Sequence, residues 1–399
     1  MQDKQAAHLA IIFGLSPTGL YAARELSAAG IKVLGISDSF EAGRYSAALT
    51  HPDKFWVLDD PAEMVERLVA LGSSCEHPPV LMPTNDRLIA FISDHADALR
   101  PHFLFQDSYR PDFYLKLVDK QLFYDACEKH HIAYPKLLAA DRDGLADLAE
   151  DIRFPVILKP SLIHEVRDFM AGRKVLIAET LDAYRSAIAS IPSSNSEWLV
   201  QEIIPGPESN IRLFGGYFDR ESRLHQGFTC VKVRQFPPGF GSASLAYSRP
   251  EEEIFQISRD FLQALSFQGI AGTEFKWDDR DKLWKIIEIN PRPTLWFHIS
   301  HSSDKRIALA AYRDLCKQSL PEERPQQNGV LWRYAVKDLY SQVFYRKNKE
   351  FIFDPPDVRG MLRDGVKKKS WPVFAPGDLR PMFMENMQYI RKIFARLGR

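Results

Sequence analysis

The chain is poor in cysteine, has no long apolar run and carries no excess charge of either sign. Each absence closes off a class of protein. The four cysteines, Cys75, Cys127, Cys230 and Cys316, stand far apart with no CxxC pair. That pattern excludes a disulfide framework and a zinc site of closely spaced ligands, and points to a reducing compartment. No apolar stretch approaches the roughly 20 residues of a spanning helix. The start, with Asp3 and Lys4, does not read as a signal peptide, so the expected location is the cytoplasm. Lysine plus arginine equals aspartate plus glutamate, 52 against 52, so no bulk field marks a nucleic-acid binder. There are no internal repeats and no low-complexity tracts.

What is present is a soluble-type chain of 399 residues, 45% hydrophobic and 26% charged, long enough for two or three domains. "HLAIIFGLSPTGLYAARELSAAGIKVLGISD" reads as strand, turn, helix and strand, the opening of a parallel sheet. "PPVLMPTND" predicts another strand, and 88–99 a helix. A first domain of 1–115 follows from this. "YLKLVDKQLFYDACEKHHIAYPK" predicts one helix. It leads into short strands and helices of α+β type, ending in the hairpin "GIAGTEFKWD…KLWKIIEIN" and a helix near 307–316. The linker "LPEERPQQNG" opens a C-terminal extension, 321–399. From Arg346 onward that extension holds 13 basic against 6 acidic residues, which leaves the rest of the chain acidic, 39 against 46.

Four groups of residues carry chemistry. In "GLSPTG", Gly14, Ser16 and Gly19 have GxGxxG spacing, with Asp38 where a ribose-binding acid would stand. A tight strand-to-helix turn needs glycine in any case, so the turn itself is the plainer reading. In the hairpin, Glu288 and Asn290 share a strand face. Folding about "DDRDK" brings Glu274 opposite or nearly opposite Glu288. Two carboxylates side by side repel unless a proton or a cation joins them. With the Asn290 oxygen they form a hard-oxygen set suited to Mg²⁺ held together with nucleotide phosphates. The plainer alternative is a solvated hairpin face, which the flanking Trp277 and Trp284 argue against. Lys120 in "VDKQ" and Lys159 in "FPVILKP" are point charges suited to phosphates, though each alone reads as a surface lysine. "WLVQEIIPGPE" places Gln201, Glu202 and Glu208 about a Pro-Gly turn.

In their order and spacing these pieces resemble the ATP-grasp superfamily over roughly residues 80–320. Within it they are most similar to carboxylate–amine ligases of the carbamoyl-phosphate-synthetase large-chain and D-aspartate-ligase type. The resemblance implies an α/β and α+β multidomain chain. It would comprise a Rossmann-like pre-ATP-grasp domain, an ATP-grasp domain over 116–320 whose two α+β subdomains clamp ATP (lid about 155–200), and the basic extension. It implies ATP and Mg²⁺, with Mn²⁺ as a substitute, and an acyl-phosphate intermediate. By the same resemblance Glu274, Glu288 and Asn290 would be metal ligands, and Lys120 and Lys159 would hold phosphates. Gln201, Glu202 and the backbone at Ile204 would form the adenine hinge, and Glu208 would accept from the ribose. Arg292 and Lys159 would serve catalysis. Where many members have a glycine-rich lid, this chain has "SLIHEVRDFMAGRKV", in which Arg167, Arg173 or Lys174 would cover the phosphates instead, or which would order only with substrate.

For the substrates, Lys232 and Arg234 would share one strand face, either toward an acidic group or simply solvated, and Asp86 in "PTND" would meet the amine. The expected partners are a small-molecule or cell-envelope-precursor carboxylate and an amine or amino acid, with no nucleic acid. A homodimer stays open. The tail "PMFMENMQYIRKIFARLGR" spaces Phe383, Met387, Ile390, Phe394 and Leu397 as a basic amphipathic helix. It would dock on its own domain or touch a membrane peripherally. The rival readings are an NAD(P)-dependent oxidoreductase using Gly14, Gly19 and Asp38, and a non-catalytic nucleotide-binding protein.

Overall fold

The computed structural model describes residues 8–37, 41–141, 143–160, 175–191 and 197–397. The lid segment "SLIHEVRDFMAGRK" and Asp38 lie outside the described residues, as do the side chains of Phe394, Arg396 and Leu397.

Wholly buried apolar runs with helical crossovers make parallel sheets, and three strands of the first domain follow that rule, with a half-exposed fourth at the edge. Strands β1 (Ala10–Phe13), β2 (Val33–Ser37), β3 (Phe55–Val57) and β4 (Val80–Pro83) form one parallel sheet in the order β3-β2-β1-β4. The helix Pro17–Ala28 packs between this sheet and the rest of the molecule, and its Glu25 is buried. The Glu25 carboxylate accepts from Leu309 N at 3.0 Å and pairs with His301 at 3.1 Å.

A small sheet in the order β5-β8-β6-β7 follows, built from β5 (Leu137–Ala140), β6 (Val156–Pro160), β7 (Leu176–Ala178) and β8 (Trp198–Glu202). The largest sheet has seven strands. These are β9 (Ile211–Phe218), β10 (Leu224–Phe236), β11 (Ser242–Ser248), β12 (Gly269–Asp278), β13 (Leu283–Asn290), β14 (Val330–Arg333) and β15 (Lys368–Ser370). Their order is β13-β12-β9-β10-β11-β14-β15. The C-terminal segment is therefore woven into the main sheet through β14, which pairs with β11, and β15. The single helix expected over "YLKLVDKQLFYDACEK" is two, Pro111–Val118 and Lys120–Lys129. Asp119 breaks it. Its backbone is extended and its carboxylate accepts from Leu122 N, as an N-cap does. The expected helix over 88–99 is likewise split into Asp86–Asp94 and Ala96–Leu99 at His95.

His298 joins the helix His298–Ser302 to the start of the helix Pro17–Ala28 by a 2.9 Å bond to the Pro17 carbonyl. Burial pulls its pKa from the usual 6.5 down to about 3. The unfolded chain therefore takes up a proton near pH 6.5 that the folded chain refuses until much lower pH. Folding stability should fall with pH through that window, by about 1.4 kcal/mol per unit at most. Urea melts at pH 7 and pH 5 should show a larger loss for the natural chain than for His298→Gln.

Candidate active site

A cleft of about 670 Å³ opens between the small sheet and the main sheet and reaches the carboxyl end of β4. One end is lined by Pro135, Ile157, Ile203 and Ile204, the other by Thr18, Thr294 and Trp296. Ten of the residues singled out from the sequence line it: Asp86, Lys120, Gln201, Glu202, Ile204, Lys232, Glu274, Glu288, Asn290 and Arg292.

The centre is the β12–β13 hairpin, whose register sets Glu274 opposite Glu288 and Gly272 opposite Asn290. Glu274 is buried, and burial, with help from Glu288, pushes its pKa up to about 7 against the pull of Lys232. The Lys232 ammonium hydrogen-bonds its carboxylate directly. The Asn290 amide nitrogen donates to Glu288 at 3.0 Å, which leaves the amide oxygen for a further partner. Among the described residues no cluster of three or more His, Cys, Asp or Glu exists that could cage a metal by itself. Two carboxylates and one amide oxygen are too few donors for Mg²⁺ alone. They fit a cation that brings its remaining ligands with it, as nucleotide phosphates and water do.

Cations surround this pair. Lys120, at the N-terminus of its helix, donates to the Ile287 carbonyl at 2.8 Å. Burial lowers its pKa, opposed by Glu288 and Glu274. Lys159 stands at the end of β6, off the cleft lining but close enough that Lys120 lowers its pKa after burial does. Arg292 is held as a fork by Asp86, with bonds of 2.7 and 2.6 Å. That pair ties the first domain to the end of the hairpin, so Asp86 serves here as an arginine anchor. At the end of β8, Gln201 donates to the Tyr124 hydroxyl at 2.7 Å, and Glu202 stands 3.9 Å from Lys285.

Two expectations are corrected. Glu208 does not face the cleft. It is buried under the 235–241 loop, where its carboxylate accepts from Gln235 N at 2.9 Å and Gly239 N at 2.5 Å. The 3₁₀ turn Glu208–Asn210 carries it beneath the loop. Arg234 does not share a face with Lys232, because β10 slips register between the two. The irregularity sends Arg234 to the buried Asp338 at 2.6 Å and leaves Lys232 on the cleft.

The structure also adds residues. Lys276 lies two positions beyond Glu274, and strand alternation alone could have suggested it. It donates to the Ile204 carbonyl at 2.7 Å, and burial brings its pKa down to about 7. Phe353 comes from the C-terminal extension and sits 4.0 Å under that ammonium. It lines the cleft, and nothing in its local sequence signalled it. In the "GLSPTG" turn, the Leu15 N–H donates to the Glu41 carboxylate, which also takes the Ser37 hydroxyl at 2.7 Å. A Cβ on Gly19 would come within 2.0 Å of the Gly14 carbonyl oxygen, and one on Gly14 within 2.3 Å of Thr84. The glycines are demanded by packing, and a carboxylate of the chain itself occupies the turn's anion-holding position.

No protein-family model matches the chain. A curated D-aspartate ligase of Enterococcus faecium (strain Aus0004) is 28% identical over 225 residues, 53% of this chain and 53% of that protein. The match thus spans about half the length of that relative. Among solved structures, the N5-carboxyaminoimidazole synthetase from Staphylococcus aureus complexed with ADP superposes with a TM-score of 0.61 at 15% identity, over 81% of each chain. An L-amino acid ligase from Bacillus licheniformis gives a TM-score of 0.56 at 16% identity, over 80% of this chain and 76% of that one.

Proposed function

We propose that this chain, whose fold is the ATP-grasp fold of those structures, is an ATP-dependent carboxylate–amine ligase. The observation that carries the reading is the Glu274–Glu288–Asn290 oxygen set, ringed by Lys120, Lys232 and Arg292, in a cleft walled by two sheets. The D-aspartate ligase relative and the ADP in a neighbouring structure support it.

In this reading ATP lies with its base against Ile157, Ile203, Ile204 and Phe353, and its phosphates run toward the hairpin. An oxygen of the substrate carboxylate attacks the γ-phosphorus. The bond to the β-phosphate oxygen breaks, ADP leaves, and an acyl-phosphate remains. An amine nitrogen then attacks the acyl carbon and releases phosphate. Both steps gather negative charge, so the work of the protein is positioning and cationic stabilisation. Lys120 and Lys159 would hold the phosphates. Arg292, kept in place by Asp86, would face the transferred group, and Lys232 would neutralise Glu274 before the nucleotide arrives. Glu274, Glu288 and Asn290 would hold Mg²⁺, or Mn²⁺ in its place, which when bound offsets phosphate charge. The acid is a small molecule or a cell-envelope precursor, and the amine is an amino acid or a related amine. The NAD(P) reading loses its footing because Glu41 fills the turn that would receive a pyrophosphate.

Calorimetric titration separates the readings. Mg-ATP should bind with a dissociation constant between about 1 μM and 1 mM, the usual substrate range, and NAD⁺ and NADP⁺ should give no heat. Heat from a dinucleotide, with none from Mg-ATP, would overturn the proposal.

A further inference from the structure

The C-terminal helix Arg380–Leu397 has two unlike faces. The inner one is fastened. Pro381 is buried, the Tyr334 hydroxyl donates to Glu385, and the Tyr389 hydroxyl donates to that of Tyr334 at 3.3 Å. Just before the helix, Asp378 accepts from Arg24 at 3.0 Å, Ser46 at 2.5 Å and Ala47 N at 2.9 Å. The outer face is apolar and bare. Leu379, Phe383, Met387 and Ile390 are 41%, 59%, 47% and 46% exposed, so none of the described residues covers them fully. Their spacing of four, four and three lays them in one stripe.

The exposed charge that the helix itself sets beside the stripe is of one sign. After Asp378 the only acid is Glu385, and it is turned inward to Tyr334. Arg380 and Arg391 are exposed. At about 100° per residue both lie along one edge of the stripe. A second copy of this face would bring arginine against arginine across a twofold axis, which like-charge repulsion opposes. A surface of anionic headgroups over hydrocarbon complements both features at once. Among the described residues no helix is long and apolar enough to cross a membrane, so contact of this kind would be interfacial.

We propose that the outer face of this helix is a docking surface for an anionic lipid membrane. Leu379, Phe383, Met387 and Ile390 enter the headgroup boundary, and Arg380 and Arg391 meet lipid phosphates. The inference stands on the helix alone and does not depend on the ligase reading.

The test is sedimentation of the full chain with vesicles of phosphatidylcholine alone and of phosphatidylcholine mixed with phosphatidylglycerol. Binding should appear only with the mixed vesicles and weaken as salt rises. The Phe383→Ser/Met387→Ser/Ile390→Ser variant should bind about tenfold less or weaker still, with an unchanged melting temperature because these side chains are exposed. Arg380→Gln/Arg391→Gln should weaken binding and flatten its salt dependence. No binding to mixed vesicles would overturn the proposal, as would equal binding by the triple serine variant. A dimer that the serine variant converts to monomer, without any vesicle binding, would assign the face to a second copy instead.

Discussion

Replacing Glu288 with glutamine should lower ADP formation by about 10³-fold, the scale of losing one preorganised electrostatic group from a phosphoryl-transfer site. The change is nearly isosteric. The Asn290 nitrogen can still donate to the side-chain oxygen at position 288, and the register of β12 against β13 does not involve the side chain. What is lost is one of two carboxylates that face each other with no third acid nearby among the described residues. The remaining partner is already engaged, since Glu274 is hydrogen-bonded to Lys232. A single neutralisation therefore removes most of the anionic character that a divalent cation would seek. Steady-state rates beside a thermal melt check it. The melt should stay within a few degrees of the natural chain, and a rate within about threefold of it would remove Glu288 from the chemistry.

Asp338→Ala should cost about 3–5 kcal/mol of folding stability, the usual penalty for removing one partner of a buried ion pair. The Asp338 side chain is fully buried. It accepts from Arg234 at 2.6 Å, Arg333 at 2.6 Å and Gln342 at 2.8 Å. Deleting it strands the nearly buried Arg234 without a counter-charge. The helix Ala335–Lys347 that carries Asp338 would lose its ion pair to β10 and keep the Ser341 bond to the Gln235 carbonyl and the packing of Tyr340 on Phe236. Urea denaturation should show a lower midpoint at similar slope. Mg-ATP affinity should change far less, since neither Arg234 nor Asp338 lines the cleft. A stability loss under about 1 kcal/mol would mean that the stranded arginine finds water or another acid.

The fold and much of the site were legible where local pattern decides structure. Alternation in "GTEFKWD" and "LWKIIEIN" placed Glu274 opposite or nearly opposite Glu288, but the register carried from the turn would set it against Ile287, and an irregularity between Glu274 and Phe275 completes the pairing with Glu288. The parallel opening sheet followed from buried apolar runs about a glycine turn. Alternation failed at Lys232 and Arg234 because β10 slips register between them and slips back before Gln235, so Arg234 alone is turned out of step. Glu208 was misread for a related reason. Whether a carboxylate after a Pro-Gly turn faces a cleft or dives under a loop depends on the loop, and residues 235–241 lie far along the chain. Lys276 and Phe353 show the two limits side by side. The first was within reach of strand periodicity, while the second arrives through a long-range crossover that brings the C-terminal segment back to the main sheet.

The most direct measurement of the central claim is ADP release by the intact chain with Mg-ATP, using pooled carboxylates and pooled amines, D- and L-amino acids among them, added separately and together. The ligase account predicts release that requires both pools, with one phosphate formed for each ADP. Release that proceeds at the same rate with neither pool, or with only one of them, would contradict it.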